Sequence, residues 1–358
     1  MKENDEMTNR TDTEAAPAKA TIIDVAKKAG VSMATVSRVV NGNYPVREET
    51  RRKVQAAIDE LHYVPNMLAR EFNTQRSMTI GVIVPGLYNM FFSEVIDGIE
   101  DYVHRDEYSL LLCNARNDSK LEADSVATLI SRNVSGIIVI SPNTKNMQTR
   151  RYEEAVKQKP IVFIDSIRHL PHASYVANNE TAGTEAALTY LYREGHRNIL
   201  FVGGRDSDSY TVKEERYCQF MKRQEIFQKK FILNIGEGNG VRTVDNTEEF
   251  MQTYLTYHRG EATAVFCCND LMAVGVLNAC KKLGIAVPDE LSITGYDNTS
   301  LSRYVDPQLT TVDQNMKQLG QIAAKLLFEK IATGKDQSIF LQNKLIIRGT
   351  TGPCPQRD

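Results

Sequence analysis

The feature that most narrows the fold is a series of seven short apolar runs, at residues 79–84, 109–113, 136–140, 161–164, 198–202, 264–268 and 291–295, separated by longer amphipathic segments. Continuous Val, Ile and Leu suit strands buried on both faces, and parallel pairing requires crossovers that amphipathic helices supply. A doubly wound α/β architecture of parallel sheets follows. About 270 residues are available to it, more than one such sheet needs, and the alternation pauses near residues 174–180. Two lobes are therefore expected. No apolar run approaches the roughly 18 residues of a membrane span. The opening residues, Lys2-Glu3-Asn4-Asp5-Glu6, do not form a secretory signal, so a cytoplasmic protein with no membrane partner is expected. The six cysteines lack CxxC or Cys/His ligand spacing, which predicts reduced thiols, no metal site, no cofactor and no disulfide framework.

The chain has a different character before this core. Residues 1–20 lack apolar periodicity and predict a disordered leader. Residues 21–76 carry nine basic and six acidic side chains on a chain of net charge -2, a small basic segment able to meet phosphate. Thr21, with Asp24 three positions on, marks a helix start, although Asp is shorter than the Glu of a usual capping box. Ile22, Val25, Ala26 and Ala29 recur at helical spacing, and Gly30 ends the run. Ser32 caps a second helix with Val36, Val39 and Val40 on one face, and Asn41-Gly42-Asn43-Tyr44-Pro45 breaks it. A third helix over residues 47–61 buries Val54, Ala57, Ile58 and Leu61. Three short helices, the first two joined by a glycine turn, predict an all-α helix-turn-helix domain over residues 21–65.

A recognition helix must enter a groove about 12 Å wide, with short or reaching side chains in its first turns and an apolar face behind them. Residues 32–41 fit: Met33, Ala34 and Arg38 fall on one side, Val36 and Val40 on the other. Arg38 can meet O6 and N7 of a guanine bidentately, worth roughly 1–3 kcal/mol of discrimination. Thr35 and Ser37 can hold phosphates beside helix N-terminal amides that favour anions.

The strings Thr21-Ile22-Ile23-Asp24-Val25-Ala26, Ala29-Gly30-Val31-Ser32, Thr35-Val36-Ser37-Arg38-Val39-Val40-Asn41 and Tyr63-Val64-Pro65-Asn66 resemble the DNA-binding headpiece of the LacI/GalR family of bacterial transcription regulators. The likeness continues through Val82-Ile83-Val84-Pro85, Phe91-Phe92 and residues 134–138, 194–199, 269–275, 295–298 and 307–312, spanning about residues 20–350. Met33-Ala34 and the stretch from Asp297 to Gln314 look most like the catabolite control branch. The resemblance implies a two-lobed, periplasmic-binding-protein-like core over residues 78–350, a hinge helix and linker over residues 66–77, and a tail at 351–358. It also implies a homodimer on a pseudo-palindromic operator in double-stranded DNA. The contacts it implies are Thr21, Ser32, Met33, Ala34, Thr35, Ser37, Arg38, Asn41, Tyr63, Asn66, Ala69 and Phe72. In relatives a leucine of the hinge helix wedges between the two central base pairs, and the matching position here is Phe72. An apolar, flat ring suits a wedge that exchanges base unstacking for a bend, while a dimer or core contact is the other reading.

Open parallel sheets place ligands beyond their strand C-termini. Asp165, Asn269 and Asp297 each stand just past an apolar run, and each matches an effector-contact position of the family. Phe91, Phe92 and Tyr217 offer aromatic faces. Asp is also favoured in strand-end turns, so a structural role for Asp165 and Asp297 stands beside a binding one. Sugar-responsive relatives carry a hydroxyl-clamping arginine where this chain has Lys213, a point charge suited to phosphate or carboxylate unless it is a plain surface lysine. The implied effector is a small-molecule carbohydrate, a sugar or sugar phosphate. Catabolite control relatives also use the phosphoserine form of the phosphocarrier HPr as co-repressor, met by an arginine whose place here resembles Asp306. An aspartate repels that phosphate, but Arg303 lies three residues earlier, so phosphorylated HPr ranks second as a partner.

A sequence-specific repressor of carbohydrate metabolism genes accounts for headpiece, hinge and core together. A sugar-binding transport protein shares the core but requires export. An enzyme requires a nucleophile with a base and an orienter, which the dispersed histidines and Cys267-Cys268 do not supply by spacing. Phe72→Asp is expected to abolish the operator gel shift while circular dichroism still reports a folded core; an unchanged shift removes the wedge.

Overall fold

A computed structural model of the chain describes residues 20–42, 44–64, 77–205 and 207–356. The expected leader, apart from Ala20, and the expected hinge helix with Asn66, Ala69 and Phe72 lie outside the described residues, as does the side chain of Asn41. The chain divides into two compact units, residues 1–76 and 77–358.

In the first unit the helices Ile22–Ala29, Met33–Asn41 and Glu48–Glu60 enclose a small core of Val25, Ala26, Val36, Val39, Val54 and Ala57. Despite its short side chain, Asp24 completes the capping box. Its carboxylate accepts from the Thr21 amide at 2.8 Å and from the Thr21 hydroxyl at 2.7 Å, while the Asp24 amide donates back to Thr21 Oγ1. Gly30, at φ 67°, takes the left-handed conformation that ends the first helix, and the Val31 amide reaches back to the Ala26 carbonyl. Ser32 then caps the second helix through the Thr35 amide.

The second unit contains twelve strands among the described residues. They are β1 Thr79–Val84, β2 Ser109–Asn114, β3 Gly136–Ile140, β4 Ile161–Ile164, β5 Ser174–Asn178, β6 Ile199–Gly203, β7 Ile232–Asn234, β8 Ala264–Cys267, β9 Ser292–Asp297, β10 Thr310–Asp313, β11 Ser338–Leu341 and β12 Lys344–Ile346. One sheet runs β2-β1-β3-β4-β5-β11 and is parallel throughout. The other runs β7-β6-β8-β9-β10-β12 and is parallel except for the β10–β12 pair. Each sheet is the centre of one lobe of a two-lobed, periplasmic-binding-protein-like core.

Burial is nearly continuous along the central strands β1, β3 and β4, as a sheet covered on both faces requires, and successive side chains alternate between the two layers. Ile80, Val82, Ile138 and Val162 face the helices Met90–Val103 and Met316–Thr333, while Ile83, Ile137, Val139 and Phe163 face the opposite layer. All seven apolar runs form strands, with ends shifted by no more than two residues. The pause read at residues 174–180 is corrected: Ser174–Asn178 is a strand, buried at every position but Ala177. Its Ser, Tyr and Asn residues break the apolar signature although four of its five side chains are buried.

The chain passes between lobes three times: after β5, after β10, and between β11 and β12. In the first lobe, the helices Met90–Val103 and Met316–Thr333 approach so closely that a Cβ on Gly98 would lie 2.0 Å from the Lys317 carbonyl oxygen. One on Gly320 would lie 2.0 Å from that of Val95. Gly320→Ala is expected to destabilise the core by about 3 kcal/mol in urea unfolding. Gly86→Ala, with nothing within 4 Å of the added carbon, is the control and stays within about 0.5 kcal/mol of the parent.

Candidate functional site

In the first unit the second helix turns Val36 and Val39 into the core and leaves Met33, Ala34 and Arg38 exposed. Those three form one outward face of the helix, Met33 and Ala34 in its first turn and Arg38 in its last. Ser32 and Thr35 are engaged with each other, their hydroxyls 2.9 Å apart, and Ser37 is half-buried. The Arg38 guanidinium lies 5.5 Å from the ring centroid of Tyr44, which is exposed. This stacking partner was concealed within a segment read only as a helix breaker. Thr21 is exposed, its hydroxyl given to Asp24, and those hydrogen bonds hold the Asp24 carboxyl below its ordinary range. Tyr63 is half-buried and packs on the three-helix core.

In the second unit the strands of both sheets end at a cleft of about 830 Å³. Backbone in the left-handed region turns the chain at several strand ends: Ser141 after β3 (φ 45°), Asp165 after β4 (φ 50°) and Asp297 at the end of β9 (φ 114°). Non-glycine residues held there mark sites where the surroundings over-determine the backbone. Hydrogen bonds span the cleft from lobe to lobe. Asn89 Nδ2 donates to Asn239 Oδ1 at 2.8 Å, and the Thr144 hydroxyl donates to the Asp208 carboxylate.

Six of the seven expected effector residues line the cleft: Phe91, Phe92, Asp165, Lys213, Asn269 and Asp297. Tyr217 does not. It is fully buried in the second lobe's core, its hydroxyl donating to the Ile199 carbonyl at 2.6 Å and its ring packed on Phe201. Tyr210, two turns earlier on the same helix, Asp208–Arg223, lines the cleft instead. Only the first turns of that helix reach the sheet's C-terminal edge, so the later tyrosine on the same buried face is carried beneath the sheet.

Lys213 is neither a surface lysine nor a free phosphate ligand. It is 2% exposed; its ammonium donates to the Cys268 carbonyl at 3.0 Å, lies 3.5 Å from Glu180 Oε1 and stands 3.8 Å from the Tyr296 ring centroid. Asn269 caps the following helix, accepting from the Met272 amide at 2.9 Å. Its Nδ2 donates to the Gly238 carbonyl at 2.7 Å and to the Tyr210 hydroxyl at 3.0 Å. Asp165 accepts from the Asn178 amide at 2.8 Å, and burial, reinforced by the charge of Glu180, pushes its carboxyl up to about 7. Asp297 accepts from Gln314 Nε2 at 2.6 Å; burial raises it well above the usual carboxylate range, and nearby Asp270 adds to the effect while Lys213 opposes it. Phe91 and Phe92 pack edge to face, 5.4 Å apart, and belong mainly to the first lobe's core.

Sequence reasoning missed Asn89, Glu122, Glu180, Asp208 and Tyr210. Glu122 is buried and accepts from the Asn143 amide, Asn146 Nδ2 and the Tyr152 hydroxyl, which fixes the loop carrying Thr144 to the cleft. Its only sequence signal was a carboxylate one turn into an amphipathic helix. No helix among the described residues is long and apolar enough to cross a membrane.

A helix with reaching side chains backed by a core, in one chain with a two-lobed cleft, defines a DNA-binding regulatory protein. Residues 21–66 match the family model for bacterial regulatory proteins of the lacI family, and residues 188–351 match a periplasmic binding protein-like domain. The chain is 35% identical to the HTH-type transcriptional repressor PurR of Vibrio parahaemolyticus, over 92% of this chain and 98% of that protein. It is also 35% identical to the catabolite control protein A of Priestia megaterium, over 86% and 91%. Its fold is similar to the lac repressor dimer bound to operator and the anti-inducer ONPF, with a TM-score of 0.79 and 27% identity over 93% of this chain and 99% of that one. The chain belongs to the LacI family of bacterial regulatory proteins. It is a DNA-binding transcriptional repressor and not an enzyme. PurR and catabolite control relatives match at equal identity, so the likeness is not confined to the catabolite control branch.

The relocation of Tyr217 has a direct test. Tyr217→Phe is expected to lower stability by about 1 kcal/mol through the lost bond to Ile199, with ligand affinity unchanged in calorimetry.

Proposed function

We propose that this repressor acts as a homodimer on a pseudo-palindromic operator, reads each half-site with Met33, Ala34 and Arg38, and is controlled by a carbohydrate-class effector in the cleft. The observation that carries the DNA reading is the exposed trio on a helix whose reverse face is core. Tyr44 supports Arg38 by holding the guanidinium over its ring, which limits the rotamers lost when a guanine edge is met. The effector reading rests on carboxylates, amides and aromatic edges converging at the strand ends, the groups that vicinal hydroxyls and a sugar's C–H face require. The lac repressor's description, bound to operator and an anti-inducer, supports the pairing of the two activities in one chain.

Control follows from differential affinity. A ligand that favours one lobe arrangement shifts the population of dimers whose N-terminal units can grip DNA together. A coupling of about 1–3 kcal/mol changes operator affinity roughly 5- to 150-fold. Genes of carbohydrate metabolism are the targets this reading assigns. Phosphoserine-HPr stays in second place: Arg303 is exposed and available, but so is Asp306, which opposes a phosphate.

The test is operator titration with a panel of sugars, sugar phosphates, purines and phosphorylated HPr; a response that requires HPr would invert the ranking. Arg38→Ala is expected to cost about 1–3 kcal/mol per half-site and to flatten preference at one base position. Equal weakening on every sequence would make Arg38 a backbone contact.

A further inference from the structure

Hydrogen-bond accounting in the cleft points past the general class of effector. Most buried side-chain donors on its wall are already engaged within the protein, although the Tyr210 hydroxyl, which accepts from Asn269, keeps its own proton for a ligand. Lys213 gives its protons toward Cys268 O and Glu180, Asn269 Nδ2 serves Gly238, Tyr210 and Asn239, and Asn89 Nδ2 serves Asn239. Beside the Tyr210 proton, what remains is chiefly acceptor capacity. Gln314, 2% exposed and lining the cleft, donates its Nε2 to Asp297 but has no hydrogen-bond partner for Oε1 among the described residues. A buried acceptor left in that condition is satisfied by a ligand that donates.

The charges agree. Asp165, Glu180 and Asp297 all line the cleft around the single buried ammonium of Lys213. Three carboxyls against one ammonium leave negative charge uncompensated in a desolvated site, which is relieved by protons or by a cation. The remaining cationic side chains on the lining, Lys145 and Arg205, are exposed, where solvent screens them. A phosphate placed inside would face the carboxylates with little beyond the Tyr210 hydroxyl to meet it among the buried side chains described.

We propose that the cleft selects a polyhydroxylated ligand bearing a protonated amine, such as an amino sugar, and rejects its phosphorylated counterpart. The proposal rests on the cleft being the effector site. The ammonium takes the place of protons on Asp165 and Asp297, and Gln314 Oε1 accepts one of its hydrogens. Asp165 is faced by Glu180, Lys213 and Asn178, and Asp297 by Lys213, Asp270, Gln314 and Asn89. Burial raises both carboxyls, that of Asp165 to about 7, so a proton competes with the ammonium at Asp165 below neutrality, and an ammonium binds best to the ionised form. Affinity for an amine therefore rises as pH increases from 5.5 to 7.5, whereas affinity for a neutral polyol does not gain in this way.

The experiment is calorimetry and thermal shift on the full chain with matched probes: glucose, 6-amino-6-deoxyglucose and glucose 6-phosphate, then sorbitol and glucamine. At least one amine is expected to bind about ten-fold or more tightly than its neutral parent, and more tightly at higher pH, with no binding of glucose 6-phosphate. Asp297→Asn is expected to erase that preference while the ligand-free melting temperature holds or rises, because an uncompensated buried charge has been removed. Glucose 6-phosphate binding as tightly as the amine, a neutral parent matching its amine, or no binding by any amine overturns the proposal. If a neutral or phosphorylated ligand binds and is weakened by Asp165→Asn or Asp297→Asn, the amine claim falls while the cleft remains the effector site. Binding indifferent to both substitutions removes the cleft reading itself.

Discussion

Parallel strand pairing is the constraint on which the rest of this molecule depends. It sends the C-terminal end of each parallel strand to one edge of its sheet, and here the two edges meet across a common cleft. Polar residues that follow buried apolar strands are therefore gathered by topology, without any local sequence relation among them. Asp165, Asn269 and Asp297 come from three strands of two sheets and still line one cavity. The left-handed backbone at Asp165 and Asp297 is the local expression of the same constraint, because the chain must turn sharply out of a buried strand.

Within the cleft, the protein's own donors are used to organise the walls. Asn269 joins a helix cap, a loop carbonyl and a tyrosine, so substituting it would alter several walls together. Glu122 plays a comparable part on the other side, where it gathers a backbone amide, a carboxamide and a phenol. Burial without a counter-charge raises the Glu122 carboxyl, and the three donors oppose that rise. Such fully satisfied networks fix geometry more than they add stability.

Much of this was legible in the sequence because burial on both faces of a parallel sheet leaves uninterrupted apolar runs. The seven runs became strands for that reason, and Thr21, Gly30 and Ser32 announced their helix ends through cap chemistry. Ser174–Asn178 escaped because its buried positions include Ser174 and Asn178, polar residues whose burial depends on tertiary neighbours. Tyr217 was misplaced for a related reason. Helical periodicity shows that Tyr210, Lys213 and Tyr217 share a face, but not where along the helix that face passes from cavity to core. The engagement of Lys213 with Glu180 was equally invisible, since the two belong to different helices.

The contact of Gly98 and Gly320 with backbone on the facing helix carries a mechanical consequence. Two helices pressed carbonyl to α-carbon have no side-chain layer to shear through, so this pair resists sliding. Displacement of one lobe against the other has to bend the three connecting segments. Asn315, at φ 48° beside the second of them, already holds a conformation from which small dihedral changes swing the long helix behind it. Within residues 77–358 the two lobes thus share a three-stranded pivot, and the stiff helix pair beside it passes a bend there on to the first lobe's sheet.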